Sequence, residues 1–308
     1  MQDPQPDFQP QTGLPEELEP GLRRIVAPNP SPMTLRGTNS YVIGEGGGLA
    51  VIDPGPQDET HLQVLLDAVR ADEHISHILV THAHLDHSPL ARTLSKRTGA
   101  PVYGFGAADA GRSALMRQFA SSGHLGGGEG VDKDFVPDVL LADRDVIHGD
   151  SWTITALHTP GHMANHLAFA LGHTLFSGDL VMGWATSLVS PPDGDLTAFM
   201  TSLRGLQAQD WRRFHPGHGA PVEEPARRVA DLIAHRLGRE ASILHALAQG
   251  DASASDLATK IYTETPPALL PAATRNVLAH LLDLTERAKV TPVGMLSSTA
   301  RFSLASRV

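Results

Sequence analysis

Thr81-His82-Ala83-His84-Leu85-Asp86-His87 decides the fold. Three histidines and one aspartate fall within six positions. Imidazole and carboxylate groups are what zinc, manganese or iron(II) ask of a protein. Spacings of two, two and one point in different directions around a helix, so no single helix face presents all four groups. A tight turn at the end of a strand fans them out instead. Residues 75–80, with Ile75, Ile78, Leu79 and Val80, read as that buried strand. A surface turn in a histidine-rich chain would predict no further ligands, whereas a metal site predicts more at similar addresses.

Three such addresses occur. Pro160-Gly161-His162, Ser177-Gly178-Asp179 and Pro216-Gly217-His218-Gly219 each place a ligand type in a glycine-marked turn just after an apolar strand. Ligands on the strand-to-loop junctions of a rigid sheet are how a scaffold converges groups on one point. With the four from the first turn they make seven groups, enough for two metals sharing a bridging carboxylate. The chain has no cysteine, which removes disulfides, thiolate ligands and a cysteine nucleophile. Any metal must be held by His, Asp or Glu.

Composition sets the remaining bounds. The 308 residues suggest two domains, and 41% hydrophobic with 19% charged residues describe an ordinary globular protein. No apolar run is long enough for a membrane span and no signal sequence opens the chain, so the expected compartment is the cytoplasm. A net charge of −10 argues against a general nucleic-acid binder. From His235 onward the net is +2, against −12 before it, which supports a boundary near residue 236.

The proline-rich, acidic stretch 1–21 reads as an extended or disordered arm. Residues 22–27, 37–43 and 49–52 read as strands, the last two joined by the glycine-rich turn 44–48. A helix follows over 58–69, and a second, over 88–97, comes after the histidine turn. Residues 101–105 read as another strand, and 123–128 as a loop that could overhang a site. Strands are expected at 146–147, 152–157, 166–171 and 174–176, then a helix at 196–206. From Pro225 the pattern turns helical, and ends in a hairpin over 290–302. Three helices and a hairpin in about seventy residues have the layout of a winged helix.

Taken in this order, the motifs resemble the metallo-β-lactamase fold superfamily over roughly residues 22–236. Residues 29–43 and the helical tail narrow the resemblance to the β-lactamase-like protein 2 branch, an endoribonuclease type with a C-terminal winged-helix-like domain. The resemblance implies an α/β fold, a four-layer αββα sandwich over 22–236 with metals at one edge, and a small winged-helix-like domain over 237–308. It implies His82, His84 and His162 on one metal, Asp86, His87 and His218 on the other, and Asp179 between them. Asp53, at the end of a hairpin strand, would orient a ligand histidine. The cofactor would be two divalent ions, Zn²⁺ first, with Mn²⁺ or Fe²⁺ as alternatives. Class-B β-lactamases often use cysteine in the second site, so the His/Asp set here fits the hydrolase and nuclease branches better.

The function implied is a metal-dependent hydrolase in which hydroxide generated on the metals attacks a carbonyl or a phosphorus. Asp86 could also take a proton. His166, after His162 at the start of a strand, could face the open side as a substrate contact or proton donor. His158 and His215 read as structural, and the remaining histidines, His61 and His280 among them, as surface or half-buried. The branch favours a phosphodiesterase or endoribonuclease acting on single-stranded RNA. Only 5% aromatics and an acidic main domain favour instead a small thioester, ester or lactone, as in glyoxalase-II-like members. A DNA-binding regulator is the reading from another class. It lacks a recognition helix with clustered Arg and Lys, so duplex DNA is not an expected partner.

Overall fold

The computed structural model of the chain describes residues 3–121 and 130–305, and its layers follow from the alternation of side chains along the strands. Among these residues β1 (Glu16–Glu19), β2 (Leu22–Val26), β3 (Asn39–Ile43), β4 (Gly47–Ile52), β5 (Glu73–Leu79), β6 (Val102–Gly104) and β7 (Val139–Leu140) form one sheet in chain order. A second sheet has the order β12 (Arg213–Pro216), β11 (Thr174–Gly178), β10 (Leu167–Leu171), β9 (Thr153–His158) and β8 (Val146–His148).

Successive residues of a strand face opposite sides. Val42 and Val51 turn outward to meet Leu62 and Leu65 of α1 (Glu59–Asp67) and Leu90 and Leu94 of α2 (Leu90–Thr98). Their neighbours Tyr41, Ile43, Ala50 and Ile52 turn inward, against Ile154, Leu167, Phe169 and Phe176 of the second sheet. On that sheet's far side Ala168 and Leu175 meet Phe199 and Leu203 of α4 (Leu196–Gln207), with Val229 and Leu232 of α5 (Pro225–Leu247). Helices, sheet, sheet and helices make the four layers.

A third core belongs to the C-terminal part. It joins Ile243 and Leu247 of α5 to Leu257 of α6 (Ala254–Ile261), Leu281 of α7 (Leu270–Glu286) and Phe302 of β15 (Arg301–Leu304). β13 (Ala252–Ser253), β15 and β14 (Val290–Val293) form the small sheet of the wing. Met116 and Phe119 of α3 (Ala114–Ser121) reach into this core from the sandwich. α5 runs unbroken for 23 residues, its first half in one core and its second half in the other. We propose that the division between 22–236 and 237–308 falls inside this helix.

Several elements differ from the sequence reading. The arm is ordered where it is described: residues 16–19 pair with β2 as the strand β1, and the Gln5 side-chain oxygen accepts a hydrogen bond from the Ala220 amide at 2.9 Å. The short elements α3, β7 and β13 were not expected, because two to eight residues carry too little periodicity to read. The loop expected at 123–128 lies outside the described residues. Among the described residues no helix is long and apolar enough to cross a membrane.

Candidate metal centre

Strand ends from both sheets open at one edge of the sandwich. β4 ends at Asp53, β5 at the histidine turn, β11 at Asp179 and β12 at His218, while the β9–β10 turn carries His162. Asn39, at the start of β3, ties the sheets together there. Its amide donates at 2.9 Å to the carbonyls of Pro216 and Gly219, and Tyr41 Oη donates to Pro216 O at 2.7 Å. These links went unread in the sequence, where polar residues inside the buried strand 39–43 were the only signal.

Close approach dictates the glycines of the turns. Gly178 has a φ of +49°, and a Cβ there would stand 2.5 Å from His166 Nε2. A Cβ on Gly217 would stand 2.4 Å from Asp179 Oδ1 and 2.7 Å from His87 Cε1. Only a residue without a side chain lets these turns pass so close to His166, Asp179 and His87.

Second partners decide which ring nitrogen of each histidine is free. Asp53 Oδ1 accepts from the Thr81 amide and Oδ2 from the Thr81 hydroxyl, both at 2.7 Å. With its only hydrogen given to Asp53, the Thr81 hydroxyl accepts from His82 Nδ1 at 2.8 Å, which leaves His82 Nε2 with its lone pair. Asp53 Oδ2 also accepts from His87 Nδ1 at 2.8 Å. His162 Nδ1 donates to Leu188 O at 2.7 Å, and His218 Nδ1 to Gly37 O at 3.1 Å. In each case Nε2 is directed inward.

Those inward atoms crowd together. His84 Nδ1 lies 2.9 Å from His82 Nε2 and 3.0 Å from His162 Nε2. His87 Nε2 lies 3.2 Å from His218 Nε2, and Asp86 Oδ2 is 3.2 Å from His218 Nε2 and 3.6 Å from His87 Nε2. Asp179 reaches both groups, with Oδ1 3.6 Å from His87 Nε2 and Oδ2 3.7 Å from His162 Nε2 and 3.4 Å from His218 Nε2.

The electrostatics call for cations. Burial, reinforced by neighbouring histidines, pushes His82 well below its ordinary value and His84 to about 3. Burial lowers His162 as well, so this trio is neutral and its lone pairs face one another. Against burial, Asp86, Asp179 and Asp53 raise His87 to about 9, and Asp179 and Asp86 raise His218 well above its usual value. Asp86 and Asp179 are in turn held low by His87 and His218. Asp179 Oδ1 is buried and has no hydrogen-bond partner. Converging lone pairs, two carboxylates and an orphaned oxygen fit a pair of divalent ions, and the ligand atoms fall into compact sets: His82, His84 and His162; His82, His87 and Asp179; Asp86, His87 and His218.

All seven ligand candidates and Asp53 therefore come together. His166 does not join them at the cavity. It is fully buried, with Nδ1 against Thr159 Oγ1 at 2.9 Å and Nε2 accepting the Asp179 amide at 3.2 Å. The start of β10 places it beneath Asp179, so its contacts are those of a residue that positions the Asp179 backbone. His158 stacks on Phe105 with centroids 3.8 Å apart, and His215 is packed against Tyr41 and Phe176. His61 and His280 are buried, contrary to the surface or half-buried placement expected for them.

A cavity of about 340 Å³ opens over the cluster and is lined by His84, Asp86, His162, Asp179 and His218. Its walls include Met33, Val131, Met182, Trp184 and Leu188, and α7 closes one side with Ala272, Arg275 and Asn276.

Residues 33–221 match the Metallo-beta-lactamase superfamily, and residues 253–295 match the Beta-lactamase associated winged helix domain. A Beta-lactamase-like protein 2 homolog from Drosophila melanogaster is 33% identical over 290 residues, covering 89% of this chain and 90% of its own length. An Atrochrysone carboxyl ACP thioesterase from Aspergillus fumigatus is 33% identical over 237 residues, 75% of this chain and 66% of its own length. The crystal structure of a Beta-lactamase domain protein from Burkholderia ambifaria shares the fold, with a TM-score of 0.79 at 23% identity, covering 97% of this chain and 96% of that one. The chain belongs to the metallo-β-lactamase superfamily of hydrolases and carries that family's winged helix domain behind its catalytic fold.

Proposed function

We propose that this hydrolase cleaves a small-molecule thioester or ester, with the seven converging side chains holding two divalent ions. His82, His84 and His162 hold one ion, Asp86, His87 and His218 the other, and Asp179 stands between them. Zinc suits these donors first, with manganese and iron(II) as alternatives. Such ions, when bound, supply Lewis acidity and make water nucleophilic near neutral pH. Asp53 fixes the orientation of His87 and, through Thr81, that of His82. Asp86, the more exposed of the two ligand carboxylates and a lining residue of the cavity, is placed to take a proton from the attacking water and pass it to the leaving group as that group departs.

The wall of the cavity carries this reading. Met33, Val131, Met182, Leu188 and Ala272 offer an apolar acyl group a surface that sheds water. Arg275 is the single arginine or lysine among the described lining residues, which also include three aspartates. A track for single-stranded RNA needs basic and aromatic side chains in series, and this wall does not supply them. The kinship with a protein named as an ACP thioesterase points the same way. α7 turns Arg275 and Asn276 to this cavity, so those residues are not offered to the groove of a duplex.

Metal analysis followed by a substrate panel tests the reading. Acyl thioesters and aryl esters of increasing chain length should be hydrolysed faster than bis(p-nitrophenyl) phosphate or single-stranded RNA. The rate should vanish on chelation and return with zinc. Asp179→Ala should lose metal and activity together. Preferential cleavage of RNA or of the phosphodiester would overturn the thioester assignment, and two tightly bound ions with full activity in Asp179→Ala would overturn the ligand set.

A further inference from the structure

Residues 187–189 form a short strap between the metal cluster and the C-terminal domain, and its polar groups point alternately to the two sides. Toward the cluster, the Ser187 hydroxyl contacts the carbonyls of Asp179 and Leu180, and Leu188 O accepts the Nδ1 hydrogen of His162 at 2.7 Å. Toward the helices, the Val189 amide donates to Asn276 Oδ1 at 3.1 Å, and Ser187 O accepts from the Arg236 guanidinium. Asn276 Oδ1 closes the circuit by accepting Arg236 Nη1 at 2.9 Å. Three consecutive residues are thus fixed on one side by α5 and α7 and fix two ligand candidates on the other.

Arg236 is costly to keep there. It is 2% exposed, its Nε has no hydrogen-bond partner, and no carboxylate among the described residues forms an ion pair with it. Its guanidinium lies over the Phe199 ring at 5.0 Å. A buried cation without a counter-charge costs several kcal/mol in general, and a well-packed apolar side chain would fill the seam more cheaply. What an apolar residue could not do is hold the Ser187 carbonyl and the Asn276 amide at once.

We propose that Asn276, on α7 of the winged helix domain, and Arg236, on the shared helix α5, are positioning residues that hold the strap and through it aim His162 and Asp179, so that the docking of α7 sets the metal affinity of the catalytic domain. The inference rests on the two-metal reading of the cluster. The ligating nitrogen of His162 is aimed by the bond its other nitrogen makes, and that acceptor is only as fixed as the strap that carries it.

Zinc binding to the full chain, stripped of metal and titrated in competition with a chromophoric chelator, tests this without reference to turnover. Asn276→Ala leaves the Val189 amide without its acceptor, and should weaken zinc binding by about 10–100-fold. Asn276→Asp keeps an acceptor oxygen for both donors and should remain within about threefold of the wild type. Thr197→Ala removes a different bond across the same seam, to Asp283 Oδ1 at 2.7 Å, and should leave zinc affinity unchanged. Wild-type affinity in Asn276→Ala would overturn the proposal, and so would an equal loss in Thr197→Ala, which would make the effect one of domain docking in general. Should Asn276→Ala fail to fold, Ser187→Ala cuts the strap on its cluster side by deleting one hydroxyl. There an affinity about tenfold weaker supports the relay and an unchanged one overturns it. A wild-type chain that takes up no divalent ion would overturn the two-metal reading itself, whereas equal loading of wild type and Asn276→Ala would overturn the relay alone.

Discussion

Asp53 shows how much of the centre one residue organises. It holds a left-handed φ of 49°, which residues with a side chain rarely adopt, and its carboxylate accepts three hydrogen bonds that set Thr81, His82 and His87. Asp53→Asn cannot replace it, because either orientation of the amide turns an N–H toward a donor. The expected result is a 10–100-fold loss of affinity for at least one ion, roughly the cost of removing an outer hydrogen-bond partner, with the fold kept. Metal stoichiometry and circular dichroism check this, and wild-type loading would refute it. The ligand candidates were legible because four of them crowd one turn, 82–87, and His162, Asp179 and His218 each sit in a glycine-marked turn after an apolar strand. The acceptors Leu188 O and Gly37 O were not, since every residue has a backbone carbonyl and no sequence marks which one will face a histidine. The backbone partner of His166 was hidden for a related reason: its place after His162 suggests a shared open face, and in the fold the residue just before β10 accepts the Asp179 amide on Nε2.

The elements that build the edge were mostly readable. β3 and β4 alternate between two cores, and α1 carries Leu62 and Leu65 on one face with Asp58 as its cap, accepting the His61 amide at 2.7 Å. Less visible was why the turns after β11 and β12 must contain glycine, because the reason lies across the site in His166, Asp179 and His87. Gly217→Ala would push a methyl group against Asp179 and His87, into the space an ion would share. Activity should fall by about 100-fold or more with loss of one ion, while the far-ultraviolet spectrum stays that of the folded chain. Full metal loading in that variant would show that the turn has room to yield.

Across the whole molecule, buried histidines make stability depend on pH. Burial holds His61 at about 4, and His215 and His280 at about 3, each neutral in the folded chain. Once unfolded they titrate near 6.5, so as pH falls below that value the unfolded chain takes up protons that the folded chain refuses. Their stabilising contribution is therefore complete above about pH 6.5 and drains away toward pH 4 for His61 and toward pH 3 for His215 and His280, each pKa unit of difference being worth about 1.4 kcal/mol. His280 has both ring nitrogens without hydrogen-bond partners, so His280→Leu should flatten the fall of the melting temperature between pH 7 and pH 4.5. An unchanged slope would mean that other groups carry the acid sensitivity. None of this could be read from a histidine's place in the sequence, since burial of His61 and His280 is decided by residues far along the chain. The same long reach ties the two domains into one heritable unit. α5 passes through both cores, α3 lends Met116 and Phe119 to the far one, and α7 returns Ala279 to the near one. A lineage could not trade the tail of such a protein for another as it might trade a tethered module. Each exchange would bare two complementary apolar surfaces, and would have to be matched by changes in α3, in α5 and in the loop that carries Leu188.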